Sequence, residues 1–301
     1  DLPQATRLGS PVPATRVQPN RRPWLRAVRP SRLTELLGRS FLDRCATIAS
    51  ILAMLWATIM LASRRESWTP PVRGVLGRQL LFTGVDGTSA AIRFGAAVGI
   101  VMIVQAALWI DAIGITTDVI APVLWRAIVR ELAPLLACMV VIGRSGIAIS
   151  TELATMLVDG ELEVIDAQGI DPMTFLVMPR IISFVVSIFC LAVITAAAMI
   201  VTGYVAGRAV DVIRVPWSTF LSQILSQFNT LDLVFFLPKT VIAGGFAAAI
   251  CCIDGLSVRG TITDVPRVSS RSGIHALTAV FAVSAILSIV IYGRILIFKV
   301  V

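Results

Sequence analysis

The chain has 301 residues, of which 56% are hydrophobic and only 15% are charged, and its mean hydropathy is +0.87. Such a composition argues against a soluble globular domain and indicates an integral membrane protein. Its net charge of +8 comes almost wholly from arginine. Because its long apolar segments have the length of membrane-spanning helices, we predict an all-α fold.

Residues 1–40 form a segment rich in arginine and proline, with eight arginines between Arg7 and Arg39. We predict a disordered arm held near anionic lipid headgroups, with the N-terminus in the cytoplasm because positive charge is retained on that side. A nucleic-acid-binding arm is the alternative, but Trp24 is its only aromatic residue, so no nucleic acid is expected as a partner. The first residue is Asp1 rather than Met, which is compatible with a missing upstream portion.

Within residues 41–77, the first apolar segment covers residues 45–63. Arginines lie on both sides of it: Arg44, Arg64, Arg65, Arg73 and Arg78. If the segment crossed the membrane, one basic cluster would lie outside, against the positive-inside rule. We therefore predict an interfacial or re-entrant elbow helix with both ends on the cytoplasmic side.

Five further segments are long and apolar enough to span the membrane. They lie within a predicted permease domain of residues 78–301, at residues 91–113, 119–142, 175–206, 231–253 and 275–298. This order places loops 143–174 and 254–273 in the cytoplasm and loop 207–230 outside. Arg208 and Arg214 in the outer loop weaken the charge argument without reversing it. Small residues at four-residue spacing, Gly95 with Gly99 and Gly203 with Gly207, suggest close helix packing.

Arg130 and Glu131 are charged residues inside the second spanning segment. Charge in hydrocarbon costs at least about 2.5 kcal/mol, so these side chains should face protein, headgroups or a wet cavity. Pro134 can kink the helix beside them. Two interpretations remain open, a structural ion pair near the outer interface and the polar lining of a substrate cavity, and we favour the cavity.

The stretch 152–171 is acidic. It holds six carboxylates, one third of the 18 in the chain: Glu152, Asp159, Glu161, Glu163, Asp166 and Asp171. Leu153, Met156, Leu157, Val164 and Ile165 recur at near-helical spacing. Gly160 is a predicted break and Gly169 a predicted stop. A plain connector is one interpretation. A docking surface is favoured, because a connector would not need Met156, Leu157 and Ile165 exposed.

No catalytic constellation is visible in the sequence, so no enzyme activity is expected of this chain. His275 begins the last apolar segment without a neighbouring cysteine or paired carboxylate and is interpreted as a boundary residue. The five cysteines show neither metal-ligand nor disulfide spacing and are interpreted as packing residues. Without a GxxxxGK[ST] loop, the chain cannot bind ATP by that route, so we expect no cofactor here. If ATP drives the protein, another subunit must supply the ATPase and bind ATP and Mg.

Five short motifs follow one another over residues 130–180: Arg130-Glu131-Leu132-Ala133-Pro134, Gly143-Arg144-Ser145-Gly146, Glu152-Leu153-Ala154-Thr155-Met156, Gly169-Ile170-Asp171-Pro172 and Pro179-Arg180. In order and spacing they resemble the MlaE/YrbE family, the membrane permeases of ABC-type lipid transporters that work with MCE proteins. Weaker similarity extends the resemblance over residues 78–293. It includes Arg78-Gln79-Leu80, Thr83-Gly84-Val85, Lys239-Thr240-Val241 and Asp254-Gly255.

The resemblance implies an elbow helix plus five spanning helices, a permease homodimer in the bacterial inner membrane, two cytoplasmic ABC ATPases, a periplasmic MCE-domain protein and a phospholipid cargo. By similarity, residues 152–169 would be the coupling helix that contacts the ATPase, through Glu152, Met156, Leu157, Asp159, Glu161, Glu163, Asp166 and Gly169. The lipid cavity would lie near Gln105, Arg130, Glu131 and Pro134. The sequence departs from the family pattern at Asp159-Gly160-Glu161 and at Asp264-Val265-Pro266-Arg267.

The leading hypothesis is therefore a permease subunit of an ATP-driven lipid transporter. An ion-coupled secondary transporter of an amphipathic substrate is the alternative, but it would want several acidic groups in mid-membrane, and apart from Glu131 the spanning segments are nearly free of carboxylates. An intramembrane enzyme is the third class, for which no nucleophile and base can be named.

Overall fold

A computed structural model describes residues 31–113, 123–211, 213, 215–258 and 261–300. These residues are helical apart from short turns, and no strand occurs among them, which confirms the all-α prediction. Six continuous helical segments among these residues are long and apolar enough to cross a membrane. Most of the predicted arm, residues 1–30, lies outside the described residues.

The chain divides into two compact units, Asp1–Thr47 and Ile48–Val301. In the first unit, helix α1 begins at Ser31, directly after the last proline of the arm, so the described part of the arm is helical rather than irregular. Besides a helical turn at residues 123–126, the described chain has the α-helices α1 Ser31–Ser63, α2 Pro70–Leu80, α3 Asp86–Ile113, α4 Ala133–Val141, α5 Ile147–Val158, α6 Glu161–Ala167, α7 Met178–Ala209, α8 Trp217–Leu225, α9 Thr230–Leu256 and α10 Val265–Val300.

Wide π-helical turns join or lead into several of these helices. They cover Leu81–Val85, Ala127–Leu132, Ile142–Gly146 and Met173–Val177. A π-turn is rare and often marks a functional position. Two of the four lie in the second spanning segment, which runs without a break from Val123 to Val158.

The continuous second span corrects the prediction that a loop begins at Gly143. A glycine ends a helix when it takes a left-handed conformation, and Gly143 and Gly146 do not take it. The glycines that do are Gly160 and Gly169, both at φ +76, as the predicted break and stop require. The loop therefore shortens to the segment that carries α6.

The order of the spans places residues 159–172, the C-terminal end of α9 and the start of α10 at one end of the bundle, which we call the acidic end. The other end, with the first turn of α9, is the distal end. Helix α7 is central, since its Phe184, Ile188 and Leu191 are fully buried among α4, α5 and α9. In contrast, only 17% of the last span, Ile262–Gly293, and 11% of the α1 segment Cys45–Ser63 are buried within the chain.

Helix α1 passes the same length and hydropathy test as the other spans, at residues Cys45–Ser63. Its predicted interfacial or re-entrant position, like the domain boundaries at residues 40 and 77, stays a prediction.

Helices α3 and α7 cross where both present small residues. A Cβ added at Gly99 would lie 2.4 Å from the Met199 carbonyl oxygen, and one added at Gly203 would lie 2.8 Å from the Gly99 carbonyl oxygen. Gly95 faces the Thr195 carbonyl oxygen in the same way, at 3.0 Å. The predicted close packing is thus confirmed for Gly95, Gly99 and Gly203 at this crossing, whereas Gly207 faces the Ile213 side chain.

Substitution of Gly99 by alanine should lower the unfolding temperature of the purified protein, because the new methyl group meets backbone atoms that cannot move aside. Gly77 in α2 is the control, since a Cβ there meets nothing within 4 Å. In Gly77→Ala we expect unchanged or slightly raised stability, as alanine is favoured by about 0.5–1 kcal/mol within helices. Equal melting of the two variants in detergent would contradict the close crossing.

Candidate functional site: ion pairs within the bundle and an exposed acidic helix

Arg130 and Glu131 lie in the π-turn Ala127–Leu132 and do not pair with each other. Arg130 Nε lies 2.5 Å from Asp232 Oδ1, and Glu131 forms an ion pair with Lys239. Both partners come from α9, where a spacing of seven residues, two helical turns, places them on one face. The two neighbouring charged residues of the second span are therefore each paired with an oppositely charged residue of α9.

The Arg130–Asp232 pair is held by further contacts at the distal end. Trp125 Nε1 donates to Asp232 Oδ2 at 2.9 Å, and the Asn229 backbone N–H donates to the same oxygen at 3.0 Å. Asn229 and Asp232 form the capping box that starts α9. The Arg130 guanidinium also lies over the Phe235 ring, 4.5 Å from its centre. Each Asp232 oxygen thus has a donor.

The Glu131–Lys239 pair connects a third helix. Ser288 of α10 donates its hydroxyl to Glu131 Oε1 at 3.1 Å. The Lys239 side chain is 1% exposed, whereas that of Glu131 is 35% exposed. Glu131 is therefore the member of the cluster that has access to a space outside the chain.

Three of the four predicted cavity residues, Arg130, Glu131 and Pro134, lie in one helical segment. Pro134 is buried at the start of α4, directly after Arg130 and Glu131. Gln105 lies exposed on α3 and makes no hydrogen bond to them among the described residues. A role of these residues in a lipid cavity stays a prediction.

Sequence reasoning missed Asp232, Lys239, Trp125 and Ser288 as partners. A signal for the first two existed, because opposite charges seven residues apart in the apolar segment 231–253 match the charges at Arg130 and Glu131. Trp125 and Ser288 carry no such signal, since tryptophan and serine are common in membrane helices.

At the acidic end, Arg144 of the π-turn Ile142–Gly146 contacts the junction between α2 and α3. Its Nη2 lies 3.2 Å from Asp86 Oδ2, and its Nη1 donates to the Phe82 carbonyl oxygen at 3.3 Å. The arginine thus ties the second span to the start of α3.

Arg180 of α7 is 2% exposed, and its Nη2 lies 2.8 Å from Glu152 Oε1. The same nitrogen contacts the Met156 sulfur at 4.0 Å. Its Nε and Nη1 have no hydrogen-bond partner among the described residues. Glu152 and Met156, both predicted to contact an ATPase, are thus directed towards Arg180 and hold α5 against α7.

The prediction that Met156, Leu157 and Ile165 are exposed is corrected, since all three are partly buried. Leu157 packs against a small cluster of Ala154, Val258 and Val265, in which α5 meets the start of α10. The apolar side chains that are exposed here are Val164, at 56%, and Ile170, at 41%.

Helix α6 has only seven residues, Glu161–Ala167, and is separated from α5 by the left-handed Gly160. The predicted coupling helix 152–169 is thus two helices. Within residues 159–166 four carboxylates are exposed and make no ion pair with a described residue: Asp159, Glu161, Glu163 and Asp166. Asp171 instead caps the next helix, accepting from the backbone N–H of Met173 and Thr174.

His275 also has a carboxylate partner, which the sequence did not reveal. Its Nδ1 lies 3.0 Å from Asp254 Oδ2, and Arg271 lies one turn before it. The two residues are 21 positions apart and meet because α9 ends where α10 begins. His275 is therefore a contact between two spans at the acidic end.

Comparison with known proteins places these features in a family. The family model described as Permease MlaE matches residues 76–290. A probable ABC transporter permease protein of Rickettsia typhi is 27% identical over 187 residues, 62% of this chain and 71% of the relative. One of Synechocystis is 28% identical over 210 residues, 70% and 79% of the two chains.

A plant protein is also similar. TRIGALACTOSYLDIACYLGLYCEROL 1, a chloroplastic protein of Arabidopsis thaliana, is 24% identical over 216 residues, which are 70% of this chain and 59% of the relative.

Replacement of Arg130 by methionine should lower stability by about 3–5 kcal/mol, because Asp232 is left as a buried charge without its cation. Asp232→Asn in the same chain should recover part of the loss, since asparagine keeps a hydrogen-bonding oxygen without the charge. Arg126→Met is the matched control, exposed one turn earlier and outside any ion pair with a described residue. Thermal unfolding in detergent measures all three, and equal effects at Arg126 and Arg130 would contradict a buried pair.

The Glu152–Arg180 pair should respond asymmetrically to mutation. Glu152→Gln leaves a buried guanidinium without an anion and should cost several kcal/mol. Arg180→Met removes that charge and leaves only a carboxylate whose side chain is 51% exposed, which water can solvate, so its cost should be smaller. Thermal unfolding of both, with exposed Glu163→Gln as the neutral control, tests this order, and a larger loss in Arg180→Met would reverse our interpretation.

Proposed function

This chain belongs to the MlaE permease family, and we propose that it passes a phospholipid between the bacterial inner membrane and a periplasmic MCE-domain protein, driven by a separate cytoplasmic ATPase. Its six apolar helices and its permease relatives make it a multi-pass membrane protein and an ABC transporter permease. The name of the plant relative refers to a galactolipid, which supports a lipid cargo. The permease itself performs no covalent chemistry.

The observation that carries the energy-input part of this proposal is the exposed helix α6. Four carboxylates of residues 159–166 are exposed and outside any ion pair with a described residue, and Val164 lies beside them. Fixed negative charge around an apolar side chain suits a partner with a basic rim and a small apolar pocket. We assign this surface to the ATPase, which binds ATP and Mg.

A movement of α6 can be transmitted to the membrane-spanning part of the bundle through α5. Helix α5 belongs to the second span, which runs from it through the π-turn Ile142–Gly146 and α4 to the π-turn that carries Arg130 and Glu131. Arg180 couples the same helix to α7 through Glu152. We propose that closure of the ATPases moves α5, and that the second span and α7 transmit this movement to the distal end.

The distal cluster is the proposed wall of the lipid path. Among the four side chains of its two ion pairs, Arg130–Asp232 and Glu131–Lys239, the cluster exposes that of Glu131 most. The Glu131 carboxylate can therefore contact a headgroup or water. The last span, only 17% buried, presents apolar residues such as Ile274, Phe281 and Ile289. We propose that a second copy of the permease covers part of this face, so that the lipid path lies between two protomers, and that the N-terminus is cytoplasmic.

An ion-coupled secondary transporter remains the second candidate, because the structure adds Asp232 and Lys239 to the charges within the bundle. All four charges are paired, however, and a coupling ion needs a site whose ligands are free. Transport into vesicles that requires ATP and the partner ATPase, and that survives collapse of the ion gradients, would exclude this candidate.

Reversal of charge at Glu161, Glu163 and Asp166 together should abolish co-purification of the ATPase while the permease stays folded, because these side chains are exposed and outside any described ion pair. Glu66→Lys is the control for added positive charge at an exposed glutamate outside α6. Affinity purification followed by ATPase assay measures the loss. Intact association in the triple variant would remove α6 as the docking surface.

A further inference from the structure

An apolar groove lies on the side of the bundle where α1, α7 and α9 meet. Its volume is about 320 Å³, and each of the three helices contributes residues from one face. Leu55 and Ile59 line it from α1, Val185 and Val186 from α7, and Val241 and Gly245 from α9. Along α1 the lining runs from Leu55 to Ala62, which is roughly 10 Å of helix.

The side chains that line the groove have no free hydrogen-bonding group for water. Its one hydroxyl, on Thr58, donates to the Met54 carbonyl oxygen of its own helix at 2.9 Å. Ordered water needs two to four polar partners, and an apolar cavity of about 150 Å³ is known to stay dry and bind a hydrocarbon. A groove of twice that volume within membrane-spanning helices therefore favours a hydrocarbon occupant.

Positive charge follows the last groove residue of α1 along the chain. Arg64 and Arg65 follow Ala62 by two and three residues, are exposed, and form no ion pair with a described residue. Glu66 is the neighbouring acid and leaves the cluster with a net positive charge. Trp68 donates its indole N–H to the Ala62 carbonyl oxygen at 2.8 Å, which holds this turn against the end of α1. Two exposed arginines thus lie within three residues of the apolar groove.

From this juxtaposition we propose that the groove binds one acyl chain of an anionic phospholipid, whose phosphate contacts Arg64 and Arg65. The site is separate from the proposed lipid path at the distal cluster. The bound lipid fastens α1 to α7 and α9 and stays in place during transport. The proposal does not depend on the cargo or on the ATPase.

The test is native mass spectrometry of the permease released from nanodiscs of phosphatidylcholine that contain a minor fraction of phosphatidylglycerol. We expect the wild type to retain phosphatidylglycerol in preference to phosphatidylcholine. Gly245→Phe should fill the groove and reduce the retained lipid about tenfold. Gly245→Ala is the matched control, because a Cβ there makes only ordinary contact, at 3.4 Å from Leu55.

Ile59→Trp is a second filling variant, chosen because Ile59 is 63% exposed and its replacement does not disturb the core. Arg64→Gln with Arg65→Gln should keep a bound lipid but lose the headgroup preference, by about fivefold for each arginine. Arg73→Gln with Arg78→Gln removes the same charge from exposed positions of α2 and should keep the preference.

Equal lipid retention in the wild type and in folded Ile59→Trp would overturn the acyl-chain site. An unchanged preference in the Arg64 and Arg65 variant would overturn the headgroup contact. A filling variant that turns a dimer into a monomer with unchanged lipid content would overturn the proposal and assign the groove to a second copy of the chain. Failure of ATPase co-purification leaves these readouts unaffected, so the two proposals fail separately.

Discussion

The pairing of charge within an apolar bundle is the constraint on which the rest of this structure depends. An unpaired charge in hydrocarbon is expensive, and the second span brings two adjacent ones, Arg130 and Glu131. Helix α9 forms an ion pair with each of them, through Asp232 and Lys239. The relative position and rotation of these two spans are thereby fixed at the distal end, and Ser288 extends the same constraint to α10.

The acidic end follows the same rule with a different outcome. Arg180 is buried and satisfied at one nitrogen by Glu152, while the carboxylates of residues 159–166 are exposed. Buried charge here holds α5 to α7, and exposed charge is free to meet another protein. The stretch thus holds one carboxylate that is paired within the chain, that of Glu152, and four that are exposed without an ion pair to a described residue.

Much of the architecture was predictable because length and hydropathy are additive properties of a segment. The spans, the left-handed Gly160 and Gly169 and the Gly99–Gly203 crossing all follow from local patterns. The π-turn Ile142–Gly146 did not, because glycine permits both a helix end and a widened turn, and the partners of Arg144, Phe82 and Asp86, are 62 and 58 positions away. The partners of Arg130, Glu131 and His275 are 102, 108 and 21 positions away, and only packing brings them close.

The π-turns also change how the second span should be drawn. Each one inserts about one extra residue into the helical repeat and so rotates everything beyond it by roughly 100°. After Ala127–Leu132 and Ile142–Gly146, the residues of α5 are out of phase with Trp125 by roughly 200°. A helical wheel drawn through the whole segment would therefore place Glu152 on nearly the opposite face from the one that contacts Arg180. The residues that share one face before the π-turns do not share it with the residues predicted from the same spacing after them.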